Sequence, residues 1–555
     1  MILFKNIRRY RQIAAVLARH GFGWLLVQFG LSRLVPYHRG LFGHPKREQR
    51  YSAPEHLRMA FEELGPTFIK LAQILSTRPD LISPSYAEEF ARLQDKVPPL
   101  PFSEMLQTLE QEWDKSYQEI FPQFDTEPLA SASIGQVYRA ALPGGNKVAV
   151  KIQKPGVQDI IERDLAILGN IAGSIKKRTE FGKRYDLEGL LDEFAFTIKN
   201  ELDYRREAEN MDKFRFLFKD EQRLYIPEVI REWSTARVLV MEEITGIKVN
   251  ELNQTKVPFR IDRHAVAVAA VEITLTEIFR HGFFHGDPHP GNFFIMRGNR
   301  LGLMDFGMVG FVTENDKEAF FRFSYALAAG EVENMMDALW DMGIIGDSLS
   351  SAAVKRELGH LYYDYRSKTM EEVAASDLVN NLMRISYRHQ LYFPPDMALL
   401  FKVLAMCESL AAMVEPGFKL FEFALPYLKE RSRELFSVEN IAHQVKEDSL
   451  DLLRLIHGLP RRINRLIRQV ERGKTQVNIK QKDLENESRK IYGALNRIMI
   501  IILMLLFSML FGVFTLIAHF LSFHSLLLTF FLGVFVVTSL VSLKMVWDAW
   551  RTRYK

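Results

Sequence analysis

Two short blocks, His285-Gly286-Asp287-Pro288-His289-Pro290-Gly291-Asn292 and Leu303-Met304-Asp305-Phe306-Gly307, constrain this chain more than any other feature. Asn292 follows Asp287 by five positions, and Asp305 follows Asn292 by thirteen. Phosphoryl transfer needs a carboxylate that takes the proton of an attacking hydroxyl. It also needs an amide oxygen and a second carboxylate that hold magnesium on the phosphates. Asp287, Asn292 and Asp305 supply those groups in that order. The bland alternative is a turn-rich loop with a satisfied Asp and Asn, and the upstream residues argue against it.

The protein-kinase spelling is H-R-D, four residues, Asn, then D-F-G, preceded by a glycine-rich loop and a V-A-I-K strand. Here Ala130-Ser131-Ala132-Ser133-Ile134-Gly135-Gln136-Val137 keeps the loop register, with Ala130 and Ala132 where the first two glycines would stand. Alanine removes access to positive φ and stiffens the loop. Val148-Ala149-Val150-Lys151 ends the following strand, and Lys151 is expected to orient nucleotide phosphates. An acidic partner for Lys151 is expected in the stretch 200–210. Glu201 is the favoured partner and Glu207 the second choice, while Asp203 and Glu207 are i,i+4 neighbours on one face. Val240-Met241-Glu242-Glu243 falls where a nucleotide-binding hinge belongs. The expectation is ATP over residues 130–137, Lys151, Glu201 and Glu242, with Asp287 and Lys151 catalytic and Mg2+ on Asn292 and Asp305. Gly286 departs from H-R-D, and H-G-D is similar to the aminoglycoside-phosphotransferase side of the superfamily.

Composition excludes several other classes. Lys+Arg 72 against Asp+Glu 68 gives +4, too small an excess for a nucleic-acid binder. The chain is 48% hydrophobic and 25% charged, which argues against a disordered chain. One cysteine, Cys407, rules out an internal disulfide or a multi-cysteine metal site. These averages conceal two uncharged runs, 498–518 and 526–543, each about the length that spans a bilayer core. Arg489, Lys490 and Arg497 precede them; Lys544, Arg551, Arg553 and Lys555 follow, and the connector has no Lys or Arg. The positive-inside rule then places both ends in the cytoplasm. In PRRINRLIRQVERGK, Ile463, Leu466, Ile467 and Val470 share a face with arginines over most of the rest, the pattern of a helix lying on a membrane surface. The N-terminus is basic, but Arg19 and His20 interrupt its apolar stretch and no small-residue cleavage site is evident, so it does not read as a secretory leader. A terminal helix packed on the main domain is preferred there to one resting on lipid.

The expected fold is α+β: a two-lobed protein-kinase-like fold with a helical N-terminal extension and a C-terminal two-helix transmembrane hairpin. The expected division is an extension over 1–125, an N-lobe over 126–245, a mostly helical C-lobe over 246–455, a basic amphipathic connector over 456–497 and the hairpin over 498–547. Val-rich alternation around Gly144-Gly145 predicts a β-hairpin in the N-lobe.

Six segments together resemble the UbiB family of atypical kinase-like proteins: 63–83 (ELGPTFIKLAQILSTRPDLIS), 128–138 (PLASASIGQVY), 148–157, 200–210 (NELDYRREAEN), 285–292 and 303–310. The resemblance implies a part that spacing does not: a K-x-G-Q helix lying over the site where a protein substrate would dock. Lys70 and Gln73 match it as regulatory residues, with Ala72 in place of the glycine. It implies that Lys70 meets the acidic stretch Glu201–Glu207. It also implies a role in ubiquinone biosynthesis at a bacterial inner membrane, with membrane lipid and quinone-pathway enzymes or precursors as partners and the kinase-like part cytoplasmic. The segment after Asp305 lacks the A-P-E that closes a protein-kinase activation segment; Ala53-Pro54-Glu55 is a chance match far upstream. Three function classes remain at this point: a membrane-bound atypical kinase or ATPase, a small-molecule kinase, and a nucleotide-binding scaffold without turnover.

Overall fold

The computed structural model describes residues 7–24 and 51–420, apart from 77, 79–80, 94–96, 180–181, 183–186, 255–257, 346–350, 366–373, 390 and 392, together with 423, 513, 530 and 533–537. Met1–Ser437 form one compact unit and Val438–Lys555 another, and the first holds nearly all the described residues. The basic connector, and all but isolated positions of the two uncharged runs, lie outside the described residues.

Helix α1 (Ile7–Arg19) buries Tyr10, Ile13, Ala14, Val16 and Leu17, a stripe at helical spacing. That stripe packs on Leu64, Phe68, Ile167 and Ile171, so the N-terminal helix is packed on the body as preferred. The apolar pattern over 56–75 becomes two helices, α2 (Ala53–Leu64) and α3 (Pro66–Leu75). The break is chemical: Gly65 has φ 95°, a conformation glycine takes without strain, and Pro66 then occupies the first position of α3. Ser52 and Glu55 form a capping box at the head of α2. Helices α4 (Pro84–Ala91) and α5 (Phe102–Glu112) complete the extension.

Strands β1 (Gln123–Phe124), β2 (Ala130–Ser131), β3 (Gly135–Ala141) and β4 (Lys147–Gln153) follow. After them come α6 (Val157–Arg178), α7 (Leu187–Glu201), α8 (Tyr204–Leu217), β5 (Leu224–Tyr225) and β6 (Val238–Glu242). The order β1-β3-β4-β6, with β2 also on β3, makes an antiparallel five-stranded sheet. The predicted hairpin is β3–β4, with Val137 opposite Lys151. Alternation along β4 sorts its residues between faces. Val148, Val150 and Ile152 pack against Met105 and Leu109 of α5 and Trp113 just beyond it. Ala149 joins the other face, with Tyr204 and Ala208 of α8, and Lys151 emerges on that side.

The larger lobe begins with β7 (Ile247–Lys248) and α9 (Arg263–Leu275). It continues through β8 (Phe283–His285), β9 (Phe293–Met296), β10 (Arg300–Leu303) and β11 (Val309–Phe311). Helices α10 (Glu314–Ala329), α11 (Val332–Asp341), α12 (Ser351–Tyr365), α13 (Ala375–His389) and α14 (Pro395–Val414) close it. Strand β10 pairs parallel with β5 and antiparallel with β9, while β8 and β11 form a two-stranded ladder. Among the described residues α14 alone is long and apolar enough to cross a membrane. It buries Leu400, Phe401, Val403, Leu404 and Leu410 in the main core with α9, so it is a core helix.

The candidate active site

Lys151 is carried to the site by strand alternation and met there by α8. Its Nζ donates to both Glu207 carboxylate oxygens, at 2.9 and 2.8 Å. It lies 3.7 Å from Asp305 Oδ1 and 5.2 Å from the centre of the Tyr204 ring. Burial works against the Lys151 charge, but Asp305 and Glu207 outweigh it and hold the ammonium well above the ordinary lysine range. Asp203 is the N-cap of α8, accepting from Arg205 N–H, and pairs with the Arg205 guanidinium at 2.7 Å. Glu207 thus stands in the first turn of α8, where a negative charge is favoured by the helix dipole.

Asp305 adopts φ 61°, one of two non-glycine residues among those described with positive φ. Its carboxylate accepts from Gly307 N–H at 3.2 Å and is half-exposed. Lys151 holds that carboxyl down at about 2, with Lys70 and the Gly307 N–H helping. Phe306 is fully buried between Phe214 of α8 and His285, ring centres 5.0 and 5.5 Å away, and Asn210 Nδ2 donates to its carbonyl at 2.9 Å.

His285 ties the two blocks together. Its Nδ1 accepts from Asp287 N–H at 3.1 Å, so its Nε2–H donates to the Asp305 carbonyl at 2.7 Å. Burial lowers its pKa, which keeps that neutral tautomer in place. Its own N–H donates to Glu277 Oε2 at 3.0 Å. Asn292 Nδ2 donates to the Asp287 carbonyl at 3.0 Å, and Met304 N–H donates to the Asn292 carbonyl at 2.9 Å. The amide nitrogen of Asn292 is therefore used within the loop, and its Oδ1 is the atom left to face a ligand.

The favoured partner of Lys151 is corrected by this geometry: Glu207 pairs with Lys151, whereas Glu201 pairs with Lys70 of α3. Helix α7 ends at Glu201 and α8 starts afresh at Tyr204, so the two carboxylates leave different helices in different directions. Glu201 Cγ would lie 3.8 Å from a Cβ on Gly307, which sets the Lys70–Glu201 pair beside Asp305. Ala72 is wholly buried with Phe90 and Leu93, so the methyl in place of glycine is accommodated. Gln73 Nε2 donates to the Leu93 carbonyl at 3.1 Å.

In the loop 130–137, Ala130 pairs with Val137, Ser131 pairs with Gln136, and Ala132 N–H closes a turn on the Gly135 carbonyl. Gly135 is demanded by packing: a Cβ there would lie 2.3 Å from Tyr204 Oη. Two residues expected at the nucleotide, Gln136 and the hinge residue Glu242, whose part there would be played by its backbone, have side chains engaged elsewhere. Gln136 is fully buried, accepting from Leu100 N–H at 2.6 Å and donating to Tyr138 Oη at 2.6 Å. Glu242 accepts from Tyr225 Oη at 2.7 Å and Glu228 N–H at 2.9 Å, bracing β6 against the β5 segment. Ile134 belongs to the core, with Val137 packed against it. Ser131 and Ser133 are both at the turn; Ser133 is buried, and the Ser131 hydroxyl is buried without a hydrogen-bond partner.

Comparison with known proteins identifies the family. The ABC1 atypical kinase-like domain matches residues 92–339, and the UbiB helical domain matches residues 358–419. An uncharacterised protein of Synechocystis sp. is 31% identical over 458 residues, 81% of this chain and 80% of its own. The chain belongs to the UbiB family. An uncharacterised Clostridium pasteurianum protein, from the hydrogenase 1 5′ region, is 29% identical over 501 residues, 90% of each chain. The chloroplastic Arabidopsis thaliana protein ACTIVITY OF BC1 COMPLEX KINASE 3 is 32% identical over 434 residues, 77% of this chain but 58% of its own. The chain thus spans less than two thirds of that plant relative.

Within this UbiB-family site, the sequence does not single out Tyr204, Asn210, Glu277 or Lys402, whose Nζ lies 3.8 Å from Asp287 Oδ1. Asn210 and Tyr204 lie inside the segment that carried the resemblance, so a signal existed for them. Glu277 and Lys402 stand in apolar helical stretches with no motif around them.

Proposed function

We propose that this chain is a membrane-anchored atypical kinase or ATPase that binds Mg-ATP and supports ubiquinone biosynthesis. The observation that carries the reading is the Lys151–Glu207 pair set 3.7 Å from Asp305, with the Asp287–Asn292 loop tied to Asp305 through His285. Lys151 would orient the nucleotide phosphates. Asn292 Oδ1 and the Asp305 carboxylate are hard oxygen donors suited to magnesium, which neutralises phosphate charge when bound. Asp287 would accept the proton of a hydroxyl or water whose oxygen bonds to the γ-phosphorus. The bond from phosphorus to the β-phosphate oxygen breaks in the same event, its electron pair leaving with ADP. The Lys70–Glu201 pair brings the extension beside Asp305, which favours a small or lipidic acceptor, or water, over a peptide.

The membrane location rests on the two uncharged runs with basic outer flanks. The quinone role rests on the family and agrees with a relative named for the BC1 complex. The test is Asp287→Asn and Lys151→Met in the full chain reconstituted in lipid. ATP turnover is expected to fall about a hundredfold or more in Asp287→Asn, with Mg-nucleotide binding kept; Lys151→Met is expected to weaken binding itself. Cells that keep making quinone with Asp287→Asn but fail with Lys151→Met would replace this reading with the scaffold.

A further inference from the structure

Helix α14 brings a cation to the carboxylate that the reading above makes the base. Lys402 Nζ lies 3.8 Å from Asp287 Oδ1, with its side chain 23% exposed. The approach is built into the catalytic loop. A Cβ on Gly286 would meet Met308 Cγ at 2.8 Å, Leu399 Cδ2 at 3.2 Å and the Met308 carbonyl at 3.2 Å. Gly286 N–H also donates to that carbonyl at 2.9 Å. A larger side chain at this position, such as the arginine of H-R-D, would crowd Met308 and Leu399. Leu399 and Lys402 are three residues apart and share a helix face. Packing Leu399 on Gly286 therefore delivers Lys402 to Asp287.

Two other lysines beside the site are held by carboxylates other than Asp287. Lys151 is bound by Glu207, and Lys70 is paired with Glu201. His289, two positions after Asp287, has its Nδ1 accepting from Gly291 N–H at 3.1 Å.

We propose that Lys402 is a catalytic residue: its ammonium meets the γ-phosphoryl group beside Asp287 and offsets the charge on its oxygens during transfer. This rests on the Mg-ATP reading. The proton of the acceptor goes to Asp287, and Lys402 takes no part in proton transfer. The transferring group carries its charge on three equatorial oxygens, where a fixed cation acts most strongly.

The test uses the full chain in lipid vesicles with Mg2+, comparing Lys402→Met, Lys402→Arg and Lys151→Met. Binding of ADP and of a β,γ-imido ATP analogue is measured by calorimetry beside ATP turnover. Lys402→Met is expected to weaken analogue binding about tenfold, leave ADP binding unchanged and lower turnover about a hundredfold. Lys402→Arg is expected to keep the preference for the analogue. Unaltered analogue binding and turnover in Lys402→Met overturns the role while leaving the Mg-ATP reading standing. Equal loss for ADP and analogue with a lowered melting temperature also overturns it, since Lys402 then only anchors α14. If the wild-type chain binds neither nucleotide, both readings fall.

Discussion

At the scale of single residues, the site depends on a buried acid that has no place in the proposed chemistry. Glu277 stands in the wide turn Thr276–His281 that ends α9, is 3% exposed, and accepts the N–H of His285. Burial raises its carboxyl from 4.5 to about 8. Between those values the folded chain holds a proton that the unfolded chain has released. Stability therefore falls as pH rises from about 4.5 to 8. Glu277→Gln keeps an acceptor for His285 and removes the titration, so the decline in urea midpoint between pH 5 and 8 should flatten. An identical decline in the variant would show that another group sets it. Asp305 acts oppositely: its lowered pKa favours folding above 3.8 and loses that effect as pH falls towards 2. Lys151, Asp287, Asn292 and Asp305 are named by motif spelling and spacing, and the fold sets Lys151 beside Asp305 and ties the Asp287–Asn292 loop to it. The partner of Lys151 is not legible in the sequence, because the stretch from Glu201 to Glu207 reads as continuous helix. Only the break at Leu202–Asp203 separates the two carboxylates.

At the scale of elements, the extension is clamped to the N-lobe by a charge placed out of water. Asp164 on α6 is wholly buried and accepts from Arg9 Nε at 2.8 Å, from a second guanidinium nitrogen of Arg9 at 2.7 Å, and from Thr67 Oγ1 at 2.8 Å. Arg9 also donates to the Leu64 carbonyl at 2.7 Å, at the α2–α3 break. One carboxylate thus holds α1, α3 and the α2–α3 joint to α6, and α3 is the helix that presents Lys70. Removing one partner leaves a cation in a mostly buried place, which costs roughly 3–5 kcal/mol. Asp164→Ala should lower unfolding stability by about that much in urea titrations followed by tryptophan fluorescence. A loss under about 1 kcal/mol would make the clamp a peripheral contact. The helices themselves were readable from apolar spacing and the hairpin from its glycines. The clamp was not, since Arg9 and Asp164 are 155 residues apart and each alone looks like a solvated charge. The same applies to Gln136 and Glu242, whose side chains turn from the site to distant backbone and hydroxyl groups.

At the scale of the whole molecule, the proposed function requires the site and the uncharged runs to lie on a chain of fixed orientation. The single native cysteine makes that orientation measurable. Cys407 lies in the core on α14, fully buried, and burial pushes its thiol up to about 12. A folded protein should therefore react negligibly with maleimides, which need thiolate and access. Ser522 stands in the connector between the runs and Thr552 beyond the second. If the runs cross the bilayer as proposed, the basic residues on both outer flanks and the lack of Lys or Arg in the connector predict a connector facing out and both flanks in the cytoplasm. Ser522→Cys should then label with a membrane-impermeant maleimide on intact bacterial spheroplasts, and Thr552→Cys only after permeabilisation. The opposite pattern would place the site away from cytoplasmic ATP and remove the proposed function. Labelling of neither before permeabilisation would mean the runs enter the bilayer without crossing it, which leaves the site cytoplasmic but abolishes the spanning hairpin.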